Sequence, residues 1–262
     1  LKKADPKSAK NLKQLQRELI FKRLTIMNLS RITLDFDGSV LSTCRMAQGT
    51  AVGFNRKEKG ARSYYPLFCT IAQTGQVLNF LHRPGNVHDS NGAREFIIAC
   101  IKEVRGVLPH AVIEVRMDSA FFSDKIISVL EGWRVEFSLS VPFERFPELK
   151  GMIEGRRRWQ RSDDDISYFE ISWKPKCWDR SFRFVIVRTR TKKQYKGVVQ
   201  LDLFVPHESG YEFKVIVTNK LAQAKTVAAY HDGRGSQESI FGTLKSQCQM
   251  GYIPVRSKIG NQ

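Results

Sequence analysis

Between residues 31 and 141 the hydrophobic pattern changes period several times, and few folds satisfy that order. Arg31-Ile32-Thr33-Leu34-Asp35-Phe36-Asp37-Gly38-Ser39 alternates with period two. Ile32, Leu34 and Phe36 therefore share one side of a strand, and Thr33, Asp35 and Asp37 share the other. A polar loop is expected from there to about Ser63. Residues 65–72 and 76–82 read as strands joined by the hairpin signal Gln73-Thr74-Gly75. Arg83-Pro84-Gly85-Asn86 breaks the sheet. Ser90 is placed to cap a helix with an apolar stripe of Ala93, Phe96, Ile97, Cys100, Ile101 and Val104. Residues 111–117 form a buried strand ending at Asp118, a short helix follows Ser123, and residues 134–141 form a further strand. Three sequential strands, then strands reached through helices, give an α/β mixed sheet flanked by helices.

The flanking segments differ in texture. Residues 1–30 are basic and carry Leu12, Leu15 and Leu19 at helical spacing. In residues 142–219 strand-like stretches at 167–173, 182–190, 199–205 and 211–218 are separated by turn-rich joins, an all-β insertion with Arg156-Arg157-Arg158-Trp159 and Lys192-Lys193 in its loops. Residues 220–262 hold the last helix, over 222–247 with a break near Asp232-Gly233, and a tail. The domain plan is thus 1–30, a core in two parts (31–141 and 220–262), and an insertion at 142–219.

Charge narrows the partner. Lys and Arg number 43 against 26 Asp and Glu, a net charge of +17, which suits a polyanion and points to nucleic acid. No segment approaches the roughly 20 apolar residues of a membrane helix, and no secretory signal is visible at Leu1-Lys2-Lys3. The start without Met suits an excerpt or a degenerate copy of a longer protein. The five cysteines lack zinc spacing and are expected to be reduced thiols in a cytoplasmic setting.

Three acids sit where chemistry is expected. Asp37 ends the first strand before Gly38-Ser39, Asp118 ends a later core strand, and Glu238 lies on the last helix. Hard divalent cations such as Mg²⁺ or Mn²⁺ take oxygen ligands, and a pair of them can serve both oxygens of a phosphodiester displacement. At about 100° per residue, Arg234 and Lys245 fall within about 40° of Glu238, while Ile240, Phe241, Leu244 and Cys248 lie on the opposite, apolar side. His82, His88 and His231 suit structural or phosphate-contacting roles, because hard-cation sites rarely use imidazole. Asp163-Asp164-Asp165 reads as a solvated turn.

Asp35-Phe36-Asp37-Gly38-Ser39, Arg116-Met117-Asp118-Ser119-Ala120-Phe121 and Gly233-Arg234-Gly235-Ser236-Gln237-Glu238 resemble the three signature blocks of DDE transposases from bacterial insertion sequences. The subgroup with a β-strand insertion between the second and third acids is the nearest in pattern. Arg83-Pro84-Gly85-Asn86-Val87-His88 also resembles that subgroup, and the likeness spans about Ile32 to Arg256. It implies an RNase H-like core, two Mg²⁺ or Mn²⁺ ions held by Asp37, Asp118 and Glu238, and cleavage of transposon ends followed by strand transfer into target DNA. Asp37 is favoured over Asp35 as first acid because the family's first acid usually precedes a Gly-Thr or Ser-Thr-like pair. Asp35 remains a supporting or solvated alternative. In the family's last-helix signature of Tyr, Arg, Glu and Lys, Arg234, Glu238 and Lys245 match. Tyr230 stands four residues before Arg234 instead of three, and His231 takes the usual place.

The resemblance further implies double-stranded DNA, both element ends and target, as partner, a homodimer on DNA, and nucleoid association in a bacterial cytoplasm. Arg234, Lys245 and Tyr230 are candidate DNA contacts, with Arg156, Arg157, Arg158 and Trp159 on the insertion. Trp159 has two readings: an aromatic that holds a flipped base, or part of the insertion's own core, which is favoured. An inactive remnant that still binds DNA and an RNase H-like cellular nuclease are the alternative functions.

Overall fold

A computed structural model describes residues 5–43, 46–53, 55, 58–191 and 210–261. In chain order the elements are α1 (Pro6–Met27), β1 (Arg31–Gly38), β2 (Leu41–Thr43), β3 (Ala51–Val52), β4 (Arg62–Tyr64), β5 (Leu67–Ile71), β6 (Gln76–Leu81), α2 (Ala93–Val107) and β7 (Val112–Met117). Then follow α3 (Asp124–Gly132), β8 (Glu136–Ser140), α4 (Pro147–Glu154), β9 (Gln160–Arg161), β10 (Ile166–Trp173), β11 (Phe182–Arg190), β12 (Tyr211–Thr218), α5 (Ala224–Asp232) and α6 (Gly235–Ser246). They form two compact units, Leu1–Arg116 with Arg234–Gln262, and Met117–Gly233.

The first unit holds the strand order β6-β5-β1-β7. β5 is antiparallel to both β1 and β6. β7 runs with β1, since its contacts advance in step: Val112 N–H donates to the Ser30 carbonyl, Thr33 Oγ1 to Glu114, and Arg116 to Asp35. A parallel neighbour needs a crossover, which α2 supplies with Ala93, Phe96, Ile97, Cys100, Ile101 and Val104 all buried. This is the RNase H-like mixed sheet with flanking helices. α6 contributes Phe241, whose ring lies 5.1 Å from Phe68 of β5.

Two expectations for this unit need correction. The stretch after β1 is not a bare polar loop: β2, β4 and β3 pair as a small antiparallel sheet. It is closed by Gly85, where a Cβ would fall 2.1 Å from Ser63 Oγ and 2.7 Å from the Ala51 carbonyl. Ser90 does not cap α2, because its hydroxyl engages His88 Nδ1 at 2.9 Å; the helix begins after Gly92 in the left-handed region, φ 72°. In α1 the buried residues are Ile20 and Leu24, while Leu12, Leu15 and Leu19 stay exposed. Those leucines line an open groove with Val77, Ile240 and Leu244.

The second unit holds β8-β12-β11-β10-β9, antiparallel throughout. One face is covered by α5, where Ala224 and Val227 meet Val185, Val187 and Ile216. An aromatic cluster of Phe122, Phe146, Trp173, Trp178 and Phe184 fills the unit elsewhere. The stretch read as strands alone also contains α4. The strand expected at 199–205 and Lys192-Lys193 lie outside the described residues. Cys69 and Cys100 are buried free thiols, and Cys177 and Cys248 are exposed ones. Among the described residues no helix is long and apolar enough to cross a membrane.

His82 stacks on Tyr64 with ring centroids 4.2 Å apart, and its Nε2 is buried without a hydrogen-bond partner. Burial, with the Lys258 charge adding to it, lowers the imidazole to about 4. The unfolded chain therefore binds a proton near pH 6.5 that the folded chain refuses until about 4. Stability from this site is full above that upper value and declines as pH falls through the window. His82→Phe keeps the ring contact and removes the titration. Thermal melts from pH 7.5 to 4 should lose less stability on acidification for His82→Phe than for the unaltered chain; equal slopes would contradict the assignment.

Candidate active site

The C-terminal end of β1 carries the first acid. Asp37 has a side chain 20% exposed, and its Oδ1 accepts the Gly38 N–H at 2.8 Å. Its Oδ2 faces Arg234 Nη1 at 3.5 Å. Arg234, just before α6, thus meets Asp37 near the end of β1, joining the first and third sequence blocks within one unit.

Asp35, two residues earlier, is fully buried. Its carboxylate accepts Arg116 Nε at 2.6 Å and Nη2 at 2.7 Å, a two-pronged bond that suits a planar guanidinium. Burial, the larger influence, pushes this carboxyl above its usual range, against the pull of Arg116 and Arg234. A fully buried, fully engaged carboxylate is not a solvated residue. The residue of α6 turned into the protein is Gln237, also fully buried, whose Nε2 donates to the Asp35 carbonyl at 3.0 Å. Glu238 follows it and is exposed, as is Lys245. The apolar side of α6 is narrower than expected: Phe241 is buried, Ile240 and Leu244 are half-buried, and Cys248 is exposed, because it lies beyond the end of the helix.

The loop after β6 borders Asp37. Arg83 is buried and donates to the carbonyls of Tyr65, His88, Asp89 and Asn91. Tyr65 Oη donates to Asp89 Oδ2 at 2.8 Å. A Cβ on Gly38 would meet the Tyr65 ring at 2.5 Å and Asp89 Oδ1 at 2.6 Å. Tyr65, Arg83 and Asp89 thus press on the residue next to the first acid. Sequence reasoning missed these roles, although the Arg83-Pro84-Gly85-Asn86 signal marked the loop.

In the second unit Asp118 caps a short 3-10 helix, its Oδ1 accepting the Ala120 N–H at 2.9 Å. His231 is buried with Nδ1 3.0 Å from Ser138 Oγ and Nε2 2.8 Å from Ser140 Oγ, a structural role. Tyr230 is half-buried, with Lys220 Nζ 4.3 Å from its ring centre. Trp159 is half-buried against Phe169 and Phe213. Arg188 lies between the rings of Trp159 and Tyr211, at 4.3 and 4.6 Å. Arg156 covers Phe169 at 4.8 Å, and Arg156, Arg157 and Arg158 are exposed. Asp163 turns its carboxylate onto the N–H groups of Asp165 and Ile166, as a turn residue does.

Asp37, Asp118 and Glu238 fit a hard divalent cation in kind, since all offer oxygen donors. Asp37 already balances a positive charge, that of Arg234. Among the described residues, however, no three His, Cys, Asp or Glu side chains are gathered as a group able to hold a metal ion. The structure brings together Asp37 with Arg234, Asp35 with Arg116 and Gln237, and Arg156, Trp159 and Arg188 around common rings.

Residues 1–262 match the family described as "Transposase DDE domain group 1". The chain belongs to the DDE transposases. Among solved structures, a piggyBac transposase synaptic complex with hairpin DNA aligns over 87% of this transposase domain with a TM-score of 0.52 and 12% identity. The domain spans 44% of that piggyBac chain, and the likeness is one of fold. The catalytic domain of Mos1 mariner transposase aligns over 59% of the domain and 75% of its own chain, with a TM-score of 0.31 and 9% identity. No curated protein matches the chain.

Gly38→Ala should lower the stability of the domain by about 1–3 kcal/mol, as overpacking does. Gly106→Ala, where a Cβ meets nothing within 4 Å, should instead gain about 0.5–1 kcal/mol from helix propensity. Urea midpoints for the two variants test this, and a neutral Gly38→Ala would count against the close approach of Tyr65 and Asp89.

Proposed function

We propose that this chain is the catalytic domain that cuts DNA at the ends of a mobile element and joins the freed ends to a target. The observation that carries the reading is the Arg234–Asp37 ion pair, within a chain that matches the transposase family from end to end. It sets the start of α6, and hence the turn that bears Glu238, at the end of β1. Asp37, Asp118 and Glu238 would hold two Mg²⁺ or Mn²⁺ ions. Those ions, when bound, supply activation of the attacking oxygen and charge neutralisation at the leaving one.

The chain's own cations do the remaining work. Arg234, released from Asp37, is placed to take a phosphate oxygen beside the scissile bond and to stabilise charge there. Lys245 extends the same service along α6. In the first cut water attacks a phosphodiester, leaving a 3′ hydroxyl and a 5′ phosphate. In the second step that 3′ hydroxyl attacks a target phosphodiester, so one bond forms as one breaks and the target strand's own 3′ hydroxyl leaves. On the insertion, Arg156, Arg157 and Arg158 track the DNA backbone, with Trp159 presenting an aromatic edge and Tyr230 as a further contact. Both element ends and the target are double-stranded DNA, and a homodimer pairs the ends. The nucleoid of a bacterial cytoplasm would be its setting.

Incubation with labelled element ends and Mg²⁺ or Mn²⁺ tests the chemistry. End-specific nicking should appear, and Asp118→Asn should abolish it while leaving DNA binding intact. Binding with no cleavage would identify an inactive remnant, and cleavage of any duplex or RNA–DNA hybrid would identify a general nuclease. A second measurement addresses the insertion. Replacing Arg156, Arg157 and Arg158 by Ala should flatten the slope of log affinity against log salt by about 3 units, near 0.9 for each phosphate no longer neutralised. An unchanged slope would remove these residues from the DNA interface.

A further inference from the structure

Three buried contacts converge on one residue that the chemistry does not use. The Asp35 side chain is 1% exposed and that of Arg116 is 7% exposed, and they are joined by two hydrogen bonds of 2.6 and 2.7 Å. The Asp35 main-chain carbonyl accepts Gln237 Nε2 at 3.0 Å, and Gln237 is fully buried. Each member stands beside one of the acids along the chain. Asp35 is two residues before Asp37 in β1, Arg116 is two before Asp118 at the end of β7, and Gln237 immediately precedes Glu238 in α6.

We propose that Asp35, Arg116 and Gln237 form a buried frame of positioning residues that sets the points from which the three acids project. The proposal rests on the reading of Asp37, Asp118 and Glu238 as the metal-holding set. Its physical basis is the poor economy of the frame as mere packing. A buried ion pair is often replaceable by apolar residues without loss of stability. Gln237 is costlier still, since its Oε1 is buried without a hydrogen-bond partner. What these groups provide is direction. A one-residue slip between β1 and β7 would turn Asp35 to the opposite face of the sheet and leave the Arg116 guanidinium without its carboxylate. A rotation of α6 would break the single bond that Gln237 makes to β1. Second-layer contacts of this kind orient metal-holding groups and tune their affinity.

Arg116→Lys keeps the charge and loses the two-pronged geometry. Gln237→Ala removes the tie from α6 and buries no new charge. The free Mn²⁺ signal in electron paramagnetic resonance, titrated with the purified chain and a short DNA duplex, reads metal affinity without reference to cleavage. Both variants should bind Mn²⁺ about tenfold or more weakly, with DNA affinity measured without metal unchanged and cooperative unfolding retained. A purely structural role would lower the melting temperature while leaving Mn²⁺ affinity intact well below the melt, and that result overturns the frame. Should Arg116→Lys fail to fold, Gln237→Ala decides. Asp118→Asn separates the two levels. If it abolishes Mn²⁺ binding but Gln237→Ala does not weaken it, the frame is wrong and the acids stand. If the unaltered chain shows no Mn²⁺ binding that Asp118→Asn removes, the acid assignment fails and the frame is overturned with it.

Discussion

Asp35 and Arg116 meet where water does not reach, and the first unit is organised around that meeting. Neither group is tolerable in the interior alone, because an uncompensated buried charge costs several kcal/mol. Their bidentate contact therefore specifies which residue of β7 lies beside which residue of β1. The same strand pair carries a second polar link one layer away, where Glu114 receives Arg31 and Thr33. Parallel strands have no tight turn to set their register, so side-chain pairs of this kind do what a hairpin loop does for β5 and β6. The end of β1, which bears Asp37, inherits the result.

The surroundings of Asp37 depend on a loop as much as on the sheet. Arg83 collects four main-chain carbonyls, which satisfies groups that a buried loop would otherwise leave without partners. Burial lowers the Arg83 guanidinium from its usual range, and the Asp89 charge beside it opposes that shift. Asp89 is thereby held against Gly38, where no side chain longer than hydrogen fits. Under the proposed function, this rigidity would keep the Asp37 carboxylate in place, since small displacements weaken contacts to substrate.

The insertion manages its charge differently. Some of its arginines are laid over aromatic faces, Arg188 against two rings and Arg156 over a third, while Arg183 pairs with Glu170. Such stacking orders a guanidinium. Arg157 and Arg158 beside them stay exposed. These exposed arginines add to the chain's net charge of +17.

Period and punctuation made most of the elements legible. The stripe of α2, the order of β1, β5, β6 and β7, the short helix after Ser123 and the break between α5 and α6 follow from local patterns, because each depends on neighbours a few residues away. The three blocks that carry the family resemblance were legible for the same reason. The small sheet of β2, β3 and β4 was not, because its two- and three-residue strands are too short to show a period. Nor was the exposure of Leu12, Leu15 and Leu19, since helical spacing defines a stripe without saying what lies against it. In α6 the angular argument selected Glu238, but the side chain that reaches β1 is its neighbour Gln237, at the far end of a contact 202 residues long. The sequence by itself determined most of the elements, their order and the charge. Tertiary structure alone decided that Asp35 belongs to Arg116 and Gln237 while Asp37 faces Arg234, because pairings between distant segments are chosen by burial and geometry, which local patterns do not encode.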